Sequence, residues 1–243
     1  MAQKPDSKKP EIIIVIPTYN EAGNLRDLVH GIDAHLRHES YRVFFIDDGS
    51  PDGTANLAEE LSAKYPITVF RRAGKLGLGT AYIFGYKEAF KQKPTYIVSM
   101  DADLSHDPKY LPQLLTKARL GVDIVLGSRY VPGGGVENWG IHRKIMSKGA
   151  NGMARLFLGV PAHDLTGAFR CFRREVLESL ELDSIKSNGY SFLEEILYLA
   201  VKKGYKIAEV PIMFKDREIG KSKLSRKEMV KFFWTLIRLR FFR

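Results

Sequence analysis

The chain has a single cysteine, Cys171, among its 243 residues, so no intramolecular disulfide can form and a disulfide-braced secreted scaffold is excluded. Long apolar runs are missing as well. No stretch reaches the roughly 18 consecutive apolar residues that begin to span a bilayer, because charge breaks the nearest candidates. The opening Met1-Ala2-Gln3-Lys4-Pro5-Asp6 lacks the apolar centre of a secretory signal. These absences predict a reducing, cytoplasmic setting with nothing crossing a membrane. No His-x-x-x-His spacing offers a zinc site, and His106 and His163 stand beside Asp107 and Asp164, where local hydrogen bonding accounts for them. There is no Gly-x-Ser-x-Gly segment, and Cys171 lies inside an apolar run, which leaves a covalent nucleophile without support.

Acid is the scarcer charge. Against 28 Asp and Glu stand 38 Lys and Arg, a formal net charge of +10, so the expected partners are anionic. Nucleic acid, an anionic lipid surface and a phosphorylated small substrate all meet that description, and net charge does not choose among them. The 44% apolar and 27% charged content is that of a globular protein.

Residues 1–10 are Lys-, Pro- and Ser-rich without apolar periodicity and read as a flexible tail. Ile12 to Ile16 is a β-branched apolar run ending at Pro17, as a buried parallel strand would, and Glu21 to Leu36 has helical spacing. The rhythm repeats. Strands are predicted at Arg42–Ile46, Ile67–Phe70, Tyr96–Met100 and Asp123–Leu126, and helices at 52–64, 78–90 and 108–118. This alternation predicts an α/β fold with a doubly wound, mainly parallel central sheet flanked by helices. After Gly127 the pattern loosens. A helix is expected at Ile145–Leu158, irregular chain to Gly189, a helix at Phe192–Lys202 and a strand at Lys206–Phe214. One domain over residues 11–228 is expected, followed at 229–243 by a basic helix with Met229, Phe232, Phe233, Leu236 and Ile237 at helical spacing.

Ligands of such sheets bind beyond the carboxyl ends of the strands, so the polar clusters there are the candidates. Asp101-Ala102-Asp103 places two carboxylates at one strand end with no basic neighbour in sequence; they repel unless a cation lies between them, and a hard divalent ion bridging a diphosphate resolves this. A solvated turn or helix cap is the plainer alternative. Asp47-Asp48-Gly49-Ser50 and Pro17-Thr18-Tyr19-Asn20-Glu21 end two further strands, and their carboxylates suit nucleobase N–H or ribose hydroxyl groups, while Asn20 and Glu21 equally suit helix capping. Gly74-Lys75-Leu76-Gly77-Leu78-Gly79 precedes a helix, where amides and Lys75 meet phosphate. It follows the wrong strand for a dinucleotide fingerprint, which disfavours a dehydrogenase. The second half supplies Arg129, Arg143, Lys144, Arg155, Arg170, Arg173, Arg217, Lys221 and Lys223, several of them ordinary surface charges.

Taken together, these residues resemble the dolichol-phosphate (polyprenyl-phosphate) mannose synthases, a branch of the inverting nucleotide-sugar glycosyltransferases with the Rossmann-like GT-A fold. The likeness runs from Ile12 to Lys227. The early motifs are those of the wider family. The sharper ones are Asp103-Leu104-Ser105-His106-x-Pro108, Gly127-Ser128-Arg129-Tyr130, Arg143-Lys144-Ile145-x-Ser147-x-Gly149-Ala150-Asn151, Asp164-Leu165-Thr166-Gly167-x-Phe169-Arg170, Glu209-Val210-Pro211-Ile212 and Asp216-Arg217-x-x-Gly220-x-Ser222-Lys223.

The resemblance implies GDP-mannose as donor, dolichyl or another polyprenyl phosphate as acceptor, and Mg²⁺ or Mn²⁺ as cofactor. It implies metal ligation by Asp101 and Asp103, with Ser105 where some relatives carry Gln. Pro17, Tyr19, Glu21, Asp48, Lys75 and Ala102, with Arg217 and Lys223, are implied around the nucleotide-sugar. Arg129, Arg143, Ser147, Arg217 and Lys223 are implied around the acceptor phosphate, with Asp101, Asp103 and Arg129 central to catalysis. It implies peripheral attachment to the cytoplasmic side of a membrane, of the endoplasmic reticulum or of an archaeal or bacterial cell. The terminal helix would then lie in the headgroup region. Anchoring would come from partner subunits or from a C-terminal transmembrane region outside these 243 residues. UDP-glucose as donor is the first alternative. A basic membrane- or nucleic-acid-binding module is the second, and the acidic strand ends oppose it, since they repel nucleic-acid phosphate.

Overall fold

Ile12 to Ile16 are wholly buried, which requires cover on both faces of their strand and explains the unbroken apolar run. In the computed structural model, which describes residues 9–185, 187, 189, 191–216 and 226–242, this segment is β1 (Ile12–Thr18). It pairs in parallel with β2 (Tyr41–Asp47) and β4 (Tyr96–Ser99), and β2 pairs in parallel with β3 (Ile67–Arg71). The connections are α1 (Ala22–Leu36), α2 (Thr54–Ser62) and α3 (Leu78–Gln92). Gly85 lets α3 lie flush on the sheet: a Cβ there would come within 2.3 Å of Val15 Cγ1.

After a single turn of 3-10 helix at Pro108–Tyr110 come α4 (Leu111–Arg119), β5 (Ile124–Ser128), β6 (Gly135–Val136) and α5 (Ile141–Leu158). Then follow β7 (Arg170–Arg173), α6 (Arg174–Ser179), α7 (Ser191–Lys202), β8 (Ile207–Pro211), β9 (Met213–Phe214) and α8 (Arg226–Phe242). The main sheet has seven strands in the order β3-β2-β1-β4-β7-β5-β8. β7 is antiparallel to both neighbours, so the other six strands run one way and β7 against them. Two hydrophobic clusters cover the sheet. One is built on Ile12, Ile14 and Ile16 with α1 and α4; the other on Ile13 and Val15 with α3, α5, α7 and α8. Each fully buried aliphatic side chain contributes about 1.5–3 kcal/mol.

The second half departs from the sequence expectation in three places. The segment expected to be irregular up to Gly189 contains β7 and α6. The four residues of β7 carry arginine at both ends, too short and too charged to read as a central strand, and they are stabilised by insertion between β4 and β5. α5 starts at Ile141, four residues early. The expected strand at 206–214 splits at Ile212, whose N–H donates to Ser128 O and whose carbonyl accepts from Gly135 N–H, so β9 leaves the main sheet and pairs with β6. Residues 1–8 of the expected tail, and Arg217, Gly220, Lys221, Ser222 and Lys223, lie outside the described residues. Among the described residues no helix is long and apolar enough to cross a membrane.

Candidate active site

The ends of β1 and β2 are laced together. Asp47 accepts from the hydroxyls of Thr18 and Ser50 and from the Ser50 N–H. The first turn of α1 is capped from the neighbouring loop, with Asn20, Glu21 and Ala22 N–H donating to Ser50, Thr54 and Asp52. Glu21 occupies the N-cap position without capping α1 through its side chain; its carboxylate accepts from Asn24. Asp48 is taken up by the protein itself, receiving Arg72 Nη1 at 2.5 Å and the amides of Leu76 and Gly77. It therefore latches the glycine-rich loop onto β2. Gly49, at φ 73°, is close against that loop, its missing Cβ 3.3 Å from Gly74 Cα. Above this floor Lys75 Nζ sits 4.0 Å from the centre of the half-buried Tyr19 ring, a cation–π pair at the loop rim.

β4 ends directly into Met100-Asp101-Ala102-Asp103. Asp101 Oδ1 accepts from the Tyr82 hydroxyl of α3 at 3.2 Å, and Tyr82 is stacked on Phe192 of α7. The Asp101 N–H donates to His106 Nδ1 at 3.0 Å, which puts the proton of a neutral imidazole on Nε2. Burial lowers the His106 pKa against the pull of Asp101 and Asp103, so the ring is neutral at pH 7. It lies between Phe169 and Phe214. Asp103 Oδ1 accepts from both the N–H and the hydroxyl of Ser105, the turn being made by Leu104 in the left-handed region at φ 62°. Ser105 therefore orients Asp103. The donor set at this strand end is carboxylate oxygen, which suits a hard divalent cation; among the described residues no cluster of three or more His, Cys, Asp or Glu offers a self-sufficient metal cage.

The reversal at β7 builds the opposite wall. To enter the sheet antiparallel, the chain must arrive at the edge where β4 and β5 end, which brings residues 164–169 there. Arg170, counted above among the cations, is wholly buried and donates to the carbonyls of Leu165, Gly167 and Leu193, fixing that loop. Arg129, just past β5, donates through Nε and Nη2 to Asp164 at 2.7 and 2.6 Å and through Nη2 to Thr166. Burial alone would raise the Asp164 pKa, but the Arg129 guanidinium outweighs it and holds the carboxyl below its usual range. Arg143 donates to Asp216 at 2.7 Å, and Ser147, one turn further along α5, accepts from the Tyr130 hydroxyl. Thus the structure gathers Asp101, Ala102 and Asp103 at one strand end, Tyr19 and Lys75 at the rim beside Asp48 and Arg72, and Arg129, Arg143 and Ser147 across the β5 side. Pro17 lies in β1 just before this edge.

Sequence reasoning passed over Trp139, Phe214 and Tyr82. Arg129 lies 5.2–5.6 Å from the centres of the Tyr130, Trp139 and Phe214 rings, and Arg143 lies 3.9 Å from that of Trp139. That Trp139 is one of only two tryptophans was the available signal. Tyr82 gives none, because a tyrosine on an apolar helix face reads as core.

A mainly parallel sheet with one reversed strand, a carboxylate pair at the end of its middle strand and two paired arginines beyond β5 define an α/β protein whose polar site lies at the carboxyl edge of the sheet. The family model described as glycosyl transferase family 2 matches residues 13–181, and the chain belongs to that family of enzymes. It is 43% identical over 215 residues to the polyprenol monophosphomannose synthase of Mycolicibacterium smegmatis, covering 88% of this chain and 80% of that protein. It is 42% identical over 232 residues to the dolichol-phosphate mannosyltransferase of Pyrococcus furiosus, covering 94% of this chain but 63% of that protein's length. Among solved structures, glucosyl-3-phosphoglycerate synthase from Mycobacterium tuberculosis, in complex with Mn²⁺, UDP and glucosyl-3-phosphoglycerate, superposes with a TM-score of 0.68 at 18% identity, covering 95% of this chain and 80% of that one. The same enzyme with Mg²⁺ and UDP gives 0.67 at 18% identity, covering 95% and 79%. These structural likenesses establish the GT-A fold.

Proposed function

We propose that the chain transfers mannose from GDP-mannose to a polyprenyl phosphate with inversion, giving a β-linked mannosyl phosphate lipid. The observation that carries this is that two relatives above 40% identity are both named for mannose transfer to a polyprenol or dolichol phosphate. The geometry agrees, with carboxylates on one side of the strand-end cleft and arginines on the other. A phosphate acceptor is already an oxyanion, so no general base is needed and transfer rests on positioning and charge. Asp101, oriented by Tyr82, and Asp103, oriented by Ser105, would hold Mg²⁺ or Mn²⁺. When bound, that ion neutralises charge developing on the diphosphate leaving group. Tyr19, Lys75 and Glu21 receive the nucleotide, with Pro17 and Ala102 beneath it and Asp48 holding the loop that carries Lys75. Arg129, Arg143 and Ser147, together with Arg217 and Lys223, hold the acceptor phosphate.

The lipid acceptor requires the site to face a membrane, and two helices support peripheral attachment there, on the cytoplasmic side. α5 buries Asn151, Ala154 and Leu158, sets Lys144, Lys148 and Arg155 along one flank, and turns Ile141, Ile145, Met146, Leu156 and Phe157 outward. Leu156 is 81% exposed. α8 packs on α5 and α7 through Leu236 and Leu239 and exposes Phe233, Trp234, Ile237 and Phe241. Of the apolar positions expected to share one face, Leu236 is thus inward and Phe233 and Ile237 outward; the side chains of Met229 and Phe232 lie outside those described. An outward apolar strip flanked by cations matches an anionic lipid surface.

The test is incubation with radiolabelled GDP-mannose, polyprenyl phosphate and Mg²⁺, followed by partition into organic solvent. Label in the organic phase from GDP-mannose, and not from UDP-glucose, is expected. Label from UDP-glucose alone would transfer the reading to a glucosyltransferase.

A further inference from the structure

Two buried hydrogen-bond donors on the β5 side have no acceptor among the described residues: Nε1 of Trp139 and Nε of Arg143. They belong to side chains stacked on each other at 3.9 Å. Trp139 is 8% exposed, so its N–H is out of water with no acceptor among the described residues, an expensive arrangement unless another acceptor arrives. The cations around it are otherwise engaged. Arg129 is bound to Asp164 and Thr166, and Arg143 Nη1 to Asp216. Arg143 lies in the first turn of α5, and the start of a long helix favours an anion. Two guanidinium groups near one indole, with Trp139 Nε1 and Arg143 Nε unmet among the described residues, form a place that an anion with several oxygen acceptors completes.

We propose that Trp139 is a binding residue of the acceptor-phosphate site. Its ring face fixes the Arg143 guanidinium, and its Nε1–H, with Arg143 Nε–H, donates to oxygens of the phosphate monoester. The proposal rests on the reading that Arg129 and Arg143 receive that phosphate, and it names the donors left over once the protein's own carboxylates are satisfied. The aromatic enclosure formed by Tyr130, Trp139 and Phe214 around Arg129 excludes water from the same place, which strengthens each bond to the anion. Phe214 meets the Trp139 ring edge to face at 5.6 Å, so the ring plane, and with it the direction of Nε1–H, is held from β9.

The chain's two tryptophans allow a direct test. In a Trp234→Phe background, Trp139 is the one emitting indole. Saturable change of its emission on titration with farnesyl phosphate, and none with farnesol, is expected. Trp139→Phe keeps an aromatic face but lacks the donor, and should raise the KM for polyprenyl phosphate on the order of tenfold while leaving the KM for GDP-mannose and the melting temperature near wild type. Trp139→Ala should raise it further. Wild-type acceptor KM in Trp139→Phe, together with unchanged emission, overturns the proposal. If Arg143→Ala still raises the acceptor KM in that case, the acceptor site stands and the indole has no part in it; if Arg143→Ala and Arg129→Ala are also silent, the underlying reading of the site falls. A rise in both KM values with a lowered melting temperature would make Trp139 a packing residue only, which also overturns the proposal.

Discussion

Replacing Asp164 with Asn tests whether the cleft is held together by its buried ion pair. Asp164 is 1% and Arg129 9% exposed, and the carboxylate receives the Arg129 backbone N–H, Nε and Nη2 and the Gly167 N–H. The neutral amide removes the charge and can accept only at one end, so the guanidinium is left buried and underpaired. Breaking a buried pair in this way costs about 3–5 kcal/mol. For a chain of this size that lowers the melting temperature by roughly 6–20 °C. The assay is denaturant unfolding with thermal melting, run beside a cycle of Arg129→Met, Asp164→Leu and the double variant Arg129→Met/Asp164→Leu. The double variant should recover much of the stability, because two apolar side chains replace two charges, while acceptor transfer stays lost. A loss below about 1 kcal/mol for Asp164→Asn would refute the reasoning, since that is the range of a solvated surface pair.

Asp103→Ala should abolish metal-dependent transfer while shifting stability by less than about 2 kcal/mol, the scale of its hydrogen bonds to Ser105; retained transfer in Mg²⁺ would remove Asp103 from the site. Glu194 is wholly buried with neither oxygen hydrogen-bonded among the described residues, and burial, opposed by Arg170, raises its pKa from 4.5 to about 8. The native state therefore keeps a proton that the unfolded chain loses, and stability should fall from about pH 4.5 to about 8 by up to about 1.4 kcal/mol per pH unit. Glu194→Gln should flatten that slope, and an unchanged profile of melting temperature against pH would refute it. Gly85→Ala should cost at least about 1–3 kcal/mol through overpacking against Val15, measured by urea unfolding; a neutral result would mean that α3 shifts freely on β1. Ile145→Asp/Leu156→Asp should reduce co-sedimentation with anionic vesicles at least about tenfold, and unchanged binding would remove α5 from the membrane surface.

Much of the first half was legible because its signals are local. A strand buried on both faces must be an apolar run, so Ile12–Ile16, Tyr96–Ser99 and their kin announce themselves, and the polar residues that end each run fall at the carboxyl edge where ligands bind. Asp101 and Asp103 could therefore be picked out directly, and the motifs of the second half pointed to the right family. What those residues touch was another matter. Nothing within a few positions of Asp48 says that Arg72 and the loop amides occupy its carboxylate. Arg129 meets Asp164 across 35 positions and Arg143 meets Asp216 across 73. The first meeting depends on β7 running backwards between β4 and β5, an insertion decided by burial and by the three carbonyls that Arg170 satisfies, and the second on β9 leaving the main sheet to pair with β6. The outward apolar strip of α5 was equally hidden, since helical periodicity shows that a helix has distinct faces but only packing decides which of them the core takes. Sequence alone thus determined the strands of the first half, the acidic strand ends and the basic balance, whereas tertiary structure decided where β7 inserts, which charges are spent on one another and which donors are left for a ligand.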